Sequence, residues 1–257
     1  YEISKELNIG LDSLVFFDDD PVNREFVKHE LKQVLVVDLP TDSSQYCNIL
    51  TNMKNFELLK ITDEDIKRKE MYLEQRKRIE FKNEVSNLDE FLKQMDIKIK
   101  IKKADNFVIP RISQLTLKTN QFNLTTKRYQ HEEISSFSND KNKIVEGIEV
   151  SDKFGNNGIT GVYIIEKTDS EWIIDTFLLS CRVMGRGVED IMLGQIIERA
   201  KQENVKKIKG KFIPTAKNKP AENFYKEFNF RKEGDFWVFN TEQETKKVEH
   251  IKVIENE

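Results

Sequence analysis

Cysteine is nearly missing from this chain: 257 residues include only Cys47 and Cys181, far apart and without metal-ligand spacing. That scarcity excludes a disulfide framework and a cysteine-built metal centre, and it fits a reducing setting, so the cytoplasm is the expected location. Glycine (10) and proline (5) are scarce and 38% of residues are hydrophobic, which excludes a disordered or low-complexity chain. No apolar run approaches the ~20 residues of a membrane-spanning helix. Neither sign of charge prevails, with 42 Lys and Arg against 45 Asp and Glu. There is thus no global attraction for nucleic acid or an anionic membrane, and neither is expected as a partner. The lysines of KIKIKK (98–103) and VKKIKGK (205–211) alternate with isoleucine and read as solvated strand faces. The length allows one or two domains with a proper core. The opening YEISKELNIG has no initiator methionine or signal peptide and reads as a fragment of something longer.

Near the start, IGLDSLVFFDDDP contains a buried strand, Leu14 to Phe17, closed by three aspartates and a proline. NREFVKHELKQ follows as a helix and VLVVDLP as a second buried strand, the rhythm of a parallel sheet. Residues 43–96 are charged, with helical spacing through Ile66, Met71, Tyr72 and Ile79 and again through Leu88, Phe91, Leu92 and Met95. They predict a helical connector. At residue 97 the period switches to two, with Ile97, Ile99 and Ile101 alternating with lysines. Beyond it the pattern predicts a strand (97–103), a helix from Pro110 to about Leu117, the polar run KTNQFNLTT and a helix near 129–138. Strands at 143–150, 159–166 and 171–179 precede a helix from Gly187 to Gln202, with Val188, Ile191, Met192, Ile196, Ile197 and Ala200 on one face. A strand (206–213), a helix (219–228) and a strand (235–239) complete the domain, and the tail from Thr241 is expected to fray. The expected fold class is α/β: a partial Rossmannoid segment (1–42), a connector (43–96), a mixed-sheet domain (97–240) and a charged tail (241–257).

SCRVMGRGVED (180–190) joins a strand end to a helix start, where unpaired amides and the helix dipole suit an anion. The amides of Val183, Met184, Gly185, Arg186 and Gly187 can wrap a pyrophosphate, with Gly185 and Gly187 allowing close approach or positive φ. The alternative is a tight turn. The order of strand, R-x-x-G-x-G (Arg182 to Gly187), long helix, strand, then Asn218, Ala221 and FYKEFNF (224–230) resembles the GNAT acyltransferase family over about residues 97–240. The resemblance implies a twisted mixed sheet split into a V, into which a pantetheine arm inserts, with the glycine loop on the pyrophosphate of coenzyme A. It implies that the backbone of Phe177, Leu178 and Leu179 serves pantetheine and the acyl carbonyl, and that Tyr225 is a general acid toward the leaving thiolate. Without it, Tyr225 is a core aromatic and Asn218 a helix cap or a ligand contact. Asn229 stands where the family has glycine, and asparagine tolerates left-handed backbone. His131, Glu149 and Asp152 are candidate general bases by position, or simply solvated strand-end charges.

LVFFDDDP places Asp18 and Asp19 at a strand tip, where two carboxylates suit magnesium; the alternative is an acidic turn. FFDDDPVNRE with ELKQVLVVDLP resembles the end of a haloacid-dehalogenase (HAD) type phosphatase core, implying Asp19 as magnesium ligand and Asp18 as supporting acid. No D-x-D nucleophile precedes it, so phosphatase chemistry is not expected from this stretch alone. In KTNQFNLTTKRY (118–129), Thr125 or Thr126 is expected to cap a helix beginning near Lys127, or the run lines a pocket for a polyol or carboxylate. FFDDDP, R-x-x-M-Y (Arg68, Met71, Tyr72), PRISQLTLKTNQFNLTTKRY, DKFGNNGITGV and LSCRVMGRGVE, in that order, resemble the FkbH-like family over about residues 10–240. This implies removal of phosphate from a phosphorylated three-carbon donor such as a phosphorylated glycerate. It further implies capture of the glyceryl group on a cysteine and transfer to the phosphopantetheine thiol of an acyl-carrier protein. For Cys181, a nearby helix N-terminus and Arg182 predict a lowered thiol pKa and a nucleophile; the alternative is a packed core residue. Three readings stand: an acyltransferase of FkbH-like type, an N-acetyltransferase using acetyl-CoA, and a non-catalytic carrier-docking module.

Overall fold

The computed structural model describes residues 1–7, 9–57, 66–168, 170–246 and 248–254, with the backbone only of residues 68 and 69. The Arg68 side chain of R-x-x-M-Y therefore lies outside the described part. The chain forms two compact units, Tyr1–Ile61 and Thr62–Glu257.

In the first unit, helix α1 (Glu2–Leu7) precedes β1 (Val15–Phe16), α2 (Pro21–Glu30), β2 (Leu35–Val36) and α3 (Tyr46–Thr51). β1 and β2 are parallel neighbours, as the strand, helix, strand rhythm predicts. Asp20 begins α2 because its carboxylate accepts the Val22 N–H at 2.8 Å, while Pro21 needs no N–H partner at the first helical position.

The second unit runs α4 (Arg68–Glu84), α5 (Leu88–Gln94), β3 (Ile97–Lys103), α6 (Ile109–Lys118), β4 (Phe122–Asn123), α7 (His131–Asn139), β5 (Lys143–Asp152), β6 (Gly155–Lys167) and β7 (Glu171–Leu179). It continues with α8 (Val188–Gln202), β8 (Lys207–Gly210), α9 (Phe224–Glu227), β9 (Arg231–Glu233), β10 (Phe236–Asn240) and β11 (Ile251–Ile254). Among the described residues the strands make one mixed sheet, β11-β3-β5-β6-β7-β8-β10-β9, with β4 added beside β7. β11/β3 and β7/β8 are parallel; the other pairs are antiparallel.

Alternation explains β3, where Ile97 and Ile99 are buried and Lys98, Lys100 and Lys102 are not. β5 to β7 are apolar on both faces because both are covered. On one, Ile112, Leu115 and Ile134 of α6 and α7 meet Val145, Val162, Ile164 and Leu178. On the other, the α8 stripe Val188, Met192, Ile196, Ile197 and Ala200 packs with Trp172, Ile174, Phe177, Phe224 and Tyr225.

Residues 43–96 do not form one connector. Residues up to Ile61 belong to the first unit, whereas α4 and α5 belong to the second, where Phe91 and Met95 enter the core. The expected fraying tail instead holds β11, whose Ile251 is buried in register with Ile97. The expected helix 219–228 is a 3-10 turn, Lys219–Ala221, and then the single turn of α9. Asn229 takes φ 61°, the left-handed backbone foreseen for it.

Candidate active site

β7 and β8 pair only from Glu171–Lys207 to Ile174–Gly210. Beyond that point β7 runs on to Leu179 while β8 ends, so the sheet opens there. The parting coincides with a bulge: Ile165 faces Ile174 and Ile164 faces Thr176, leaving Asp175 without an opposite residue.

Tyr225 of α9 sits at this parting, 1% exposed, and its hydroxyl has no hydrogen-bond partner. A Cβ on Gly210 would lie 2.2 Å from that oxygen, so residue 210 has to be glycine for the ring to fit. Burial raises the phenol pKa well above its ordinary value, holding the group neutral and able to donate. Phe230 and Trp237 pack around the ring.

The opening beyond Gly210 is lined by the polar run. β4 lies antiparallel along β7, with Phe122 opposite Leu179 and Asn123 opposite Leu178. Leu124 N–H donates to the Phe177 carbonyl (3.0 Å), and Ile213 N–H donates to the Leu124 carbonyl (2.8 Å). The β7 edge expected to serve pantetheine at Phe177, Leu178 and Leu179 thus carries the chain's own strand. Asn218, fully buried, donates from Nδ2 to the carbonyls of Asn123 and Ile213, each at 2.9 Å. Its Oδ1 accepts from Thr215 N–H and Oγ1. It therefore does not cap the 3-10 turn with its side chain; it ties β4 to the 213–215 segment.

Thr125 and Thr126 do not cap a helix. Thr125 Oγ1 donates to the Asp175 carbonyl (2.8 Å), and Thr126 takes φ 54° with its N–H on Asn123 Oδ1. α7 begins later, after Gln130, whose N–H is bound by Glu133. The Asp175 carboxylate is buried and bonded to Lys127, to the Tyr129 hydroxyl (2.8 Å) and to Thr176 (2.9 Å). Burial, and then the Asp175 hydrogen bond, raise the Tyr129 pKa. A lone acid inside WIIDTFLLS was the available signal for this cluster.

In the glycine loop, Gly185 (φ 74°) and Gly187 (φ 85°) take the left-handed backbone foreseen for them. Two of the five amides are engaged internally: Val183 N–H donates to Ser180 O, and Gly185 N–H donates to Glu189 Oε1 at 3.0 Å. The other Glu189 oxygen is buried without a partner, and burial raises the pKa of this acid. Arg186 turns inward to Asp152 (3.2 Å), Gln75 (3.3 Å) and the Arg182 carbonyl (2.6 Å); burial lowers its pKa to about 10. Arg182 Nη1 donates to Met71 Sδ, Val183 is buried, and Met184 packs partly buried against the core. His250 Nε2 lies 2.8 Å from the Arg186 carbonyl.

The lowered pKa expected of Cys181 is overturned: burial pushes the Cys181 pKa up despite Arg182. Asp152 is not placed as a base either, because it is fully enclosed with Arg78 on both oxygens, at 2.7 and 2.8 Å. Glu149 pairs with Lys102 (3.4 Å) and Asn156 (2.7 Å), and His131 is exposed at the start of α7.

In the first unit, Asp18 and Asp19 follow β1 on the surface side of a turn. Asp18 accepts from Asp20 N–H (2.8 Å) and Asn23 (3.4 Å), and Arg24 donates to the carbonyls of Asp18 and Asp19. Among the described residues no group of three His, Cys, Asp or Glu converges on a metal position. These two carboxylates do not by themselves assemble a magnesium site. Among the described residues, too, no helix is long and apolar enough to cross a membrane.

No protein-family model matches the chain, and no curated protein matches it. Solved structures do. A GNAT-family acetyltransferase from Staphylococcus aureus is 15% identical, covering 56% of this chain and 99% of its own, with a TM-score of 0.43. The ribosomal-protein-S18-alanine N-acetyltransferase of Escherichia coli is 10% identical, covering 59% and 99%, with a TM-score of 0.43. Mutant forms of the spermidine/spermine N-acetyltransferase SpeG from Vibrio cholerae are 13% identical, covering 56% and 94%, with a TM-score of 0.44. Likenesses this distant carry no argument about what this chain does.

Proposed function

We propose that residues 62–257 are a GNAT-like acyltransferase domain, which receives a small acyl group as a thioester of coenzyme A or of an acyl-carrier protein's phosphopantetheine. The observation that carries this reading is the Tyr225 hydroxyl, buried and partnerless where β7 and β8 part. An unpaired buried hydroxyl costs about 1–3 kcal/mol, a cost with a purpose if a ligand supplies the partner. A leaving thiolate is such a partner. The acceptor bonds to the acyl carbon, the carbon–sulfur bond breaks, and the sulfur takes the Tyr225 proton. The proton lost by the acceptor restores the phenol.

The order of R-x-x-G-x-G, Asn218, Ala221 and FYKEFNF supports the same reading, as do the left-handed glycines of the loop. N-acetylation of an amine is less well supported, because none of His131, Glu149 and Asp152 is placed as its base. The FkbH-like motif order supports glyceryl as the acyl group, from a phosphorylated glycerate processed by a complete HAD domain with magnesium. Capture on Cys181 has less support, since its thiol is held protonated. A single-turnover assay with acetyl-CoA and with a glyceryl carrier-protein thioester tests the proposal. Tyr225→Phe should slow transfer by ~10²–10⁴ with no loss of thermal stability. Absence of transfer from both donors by the wild-type protein would point to a carrier-docking module.

A further inference from the structure

β4 and Leu124 after it stand between the β7 edge and the 213–215 segment that follows β8. Its main chain bonds to Phe177 on one side and to Ile213 on the other. Its run along β7 is antiparallel, Phe122 toward the glycine loop and Leu124 toward the parting at Gly210. It is two residues long, and the polar segment around it supplies no other ladder. One side chain ties it to that segment: Asn218, whose two N–H groups reach the carbonyls of Asn123 and Ile213. The Phe122 ring lies 5.2 Å from Phe224 and 6.2 Å from Phe177, filling the same opening.

We infer that β4 is a built-in occupant of the thioester slot and that Asn218 is the positioning residue that latches it there. The inference rests on the acyltransferase reading and adds a control to it. A pantetheine arm is an extended chain with two amides, so it can replace the bonds that β4 makes to Phe177 O and Ile213 N–H. The exchange then re-pairs the Phe177 carbonyl and the Ile213 N–H within the slot, the two groups that Leu124 satisfies in the latched state. In the latched state the Tyr225 hydroxyl stays without a partner, and pantetheine is shut out. When β4 leaves, the slot opens along the β7 edge and the hydroxyl meets the sulfur.

Asn218→Asp isolates the latch, because it keeps the acceptor for Thr215 and loses both donations. Coenzyme A and free pantetheine are the probes, the first reading slot and glycine loop together and the second the slot alone. Binding is followed by calorimetry, and amide exchange is read at Leu124 and Ile213. Asn218→Asp should bind both probes at least tenfold more tightly and exchange those two amides at least tenfold faster, since two hydrogen bonds are lost and a carboxylate oxygen then faces the Asn123 and Ile213 carbonyls. The amides pairing β5 with β6 should stay protected and report an intact fold. Phe122→Ala, which loosens β4 without touching Asn218, should shift both readouts the same way and serves if the first variant misfolds. Adding either probe to the wild-type protein should speed exchange at Leu124. Equal affinity in wild type and variants, with Leu124 unchanged or more protected in the complex, would overturn the latch while leaving the acyltransferase reading standing. Binding by none of the proteins would overturn that reading and the latch with it.

Discussion

The Tyr225 hydroxyl occupies the place where a side chain on residue 210 would have to begin, 2.2 Å from the Cβ position of Gly210. Gly210→Ala should therefore displace the ring and destabilise the protein by about 1–3 kcal/mol, as overpacking does. Tyr225→Phe alone should stabilise the protein by about 1–3 kcal/mol, because it removes a buried hydroxyl that has no partner. Combined, the two substitutions should cost less than their sum, since phenylalanine removes the nearest clashing atom. Denaturant midpoints of the four proteins give the coupling, and strict additivity would mean that the ring does not bear on residue 210.

Cys181 should be a slow thiol. Burial raises its pKa, so at neutral pH its thiolate fraction is below that of an ordinary cysteine. Iodoacetamide at pH 7 should modify the exposed Cys47 first and Cys181 only as the pH rises past the usual thiol range, as peptide mass mapping would register. Preferential labelling of Cys181 at pH 7 would instead return it to consideration as a nucleophile.

Glu189 should leave a mark on acid stability. Its folded pKa lies above the ordinary 4.5, so the folded state holds this proton more tightly than the unfolded chain does. The contribution is fully present below pH 4.5 and declines as the pH climbs through the folded value. Glu189→Gln keeps an acceptor for Gly185 N–H and removes the titration. Thermal melts from pH 4 to 7 should show the variant gaining on the wild type toward neutrality; parallel curves would refute the assignment.

The Arg78–Asp152 pair is buried on both sides, so Arg78→Met should cost several kcal/mol, near the lower end of ~3–5 because Arg186 still reaches Asp152. The double variant Arg78→Met with Asp152→Leu should recover part of that loss in urea melts. No recovery would show that shape, and not the stranded carboxylate, sets the penalty.

Elements with a long, clean period were legible in the residues alone. Ile97 and Ile99 alternating with lysine marked β3, and the stripe from Val188 to Ala200 marked α8. Asn229 in the left-handed region followed from its place in FYKEFNF. β4 was illegible because two residues carry no period, and its bonds reach Phe177 and Ile213 from far along the chain. Asn218 misled for the same reason: the residue type suits a cap, and only the fold brings Asn123 to it. For Cys181 the helix start and Arg182 pointed to a lowered thiol pKa, but its burial, which only the fold reveals, outweighs them, and six turn residues separate it from α8.

The pairing of Ile97 with Ile251 also bears on how the protein is made. The parallel β3/β11 ladder joins the two ends of the second unit, so its edge cannot close until nearly all of that unit has been synthesised. Non-local parallel pairing of this kind forms late and slowly. Until it does, β3 is an open sheet edge on a ribosome-bound chain, and its regularly spaced lysines repel a second copy approaching that edge.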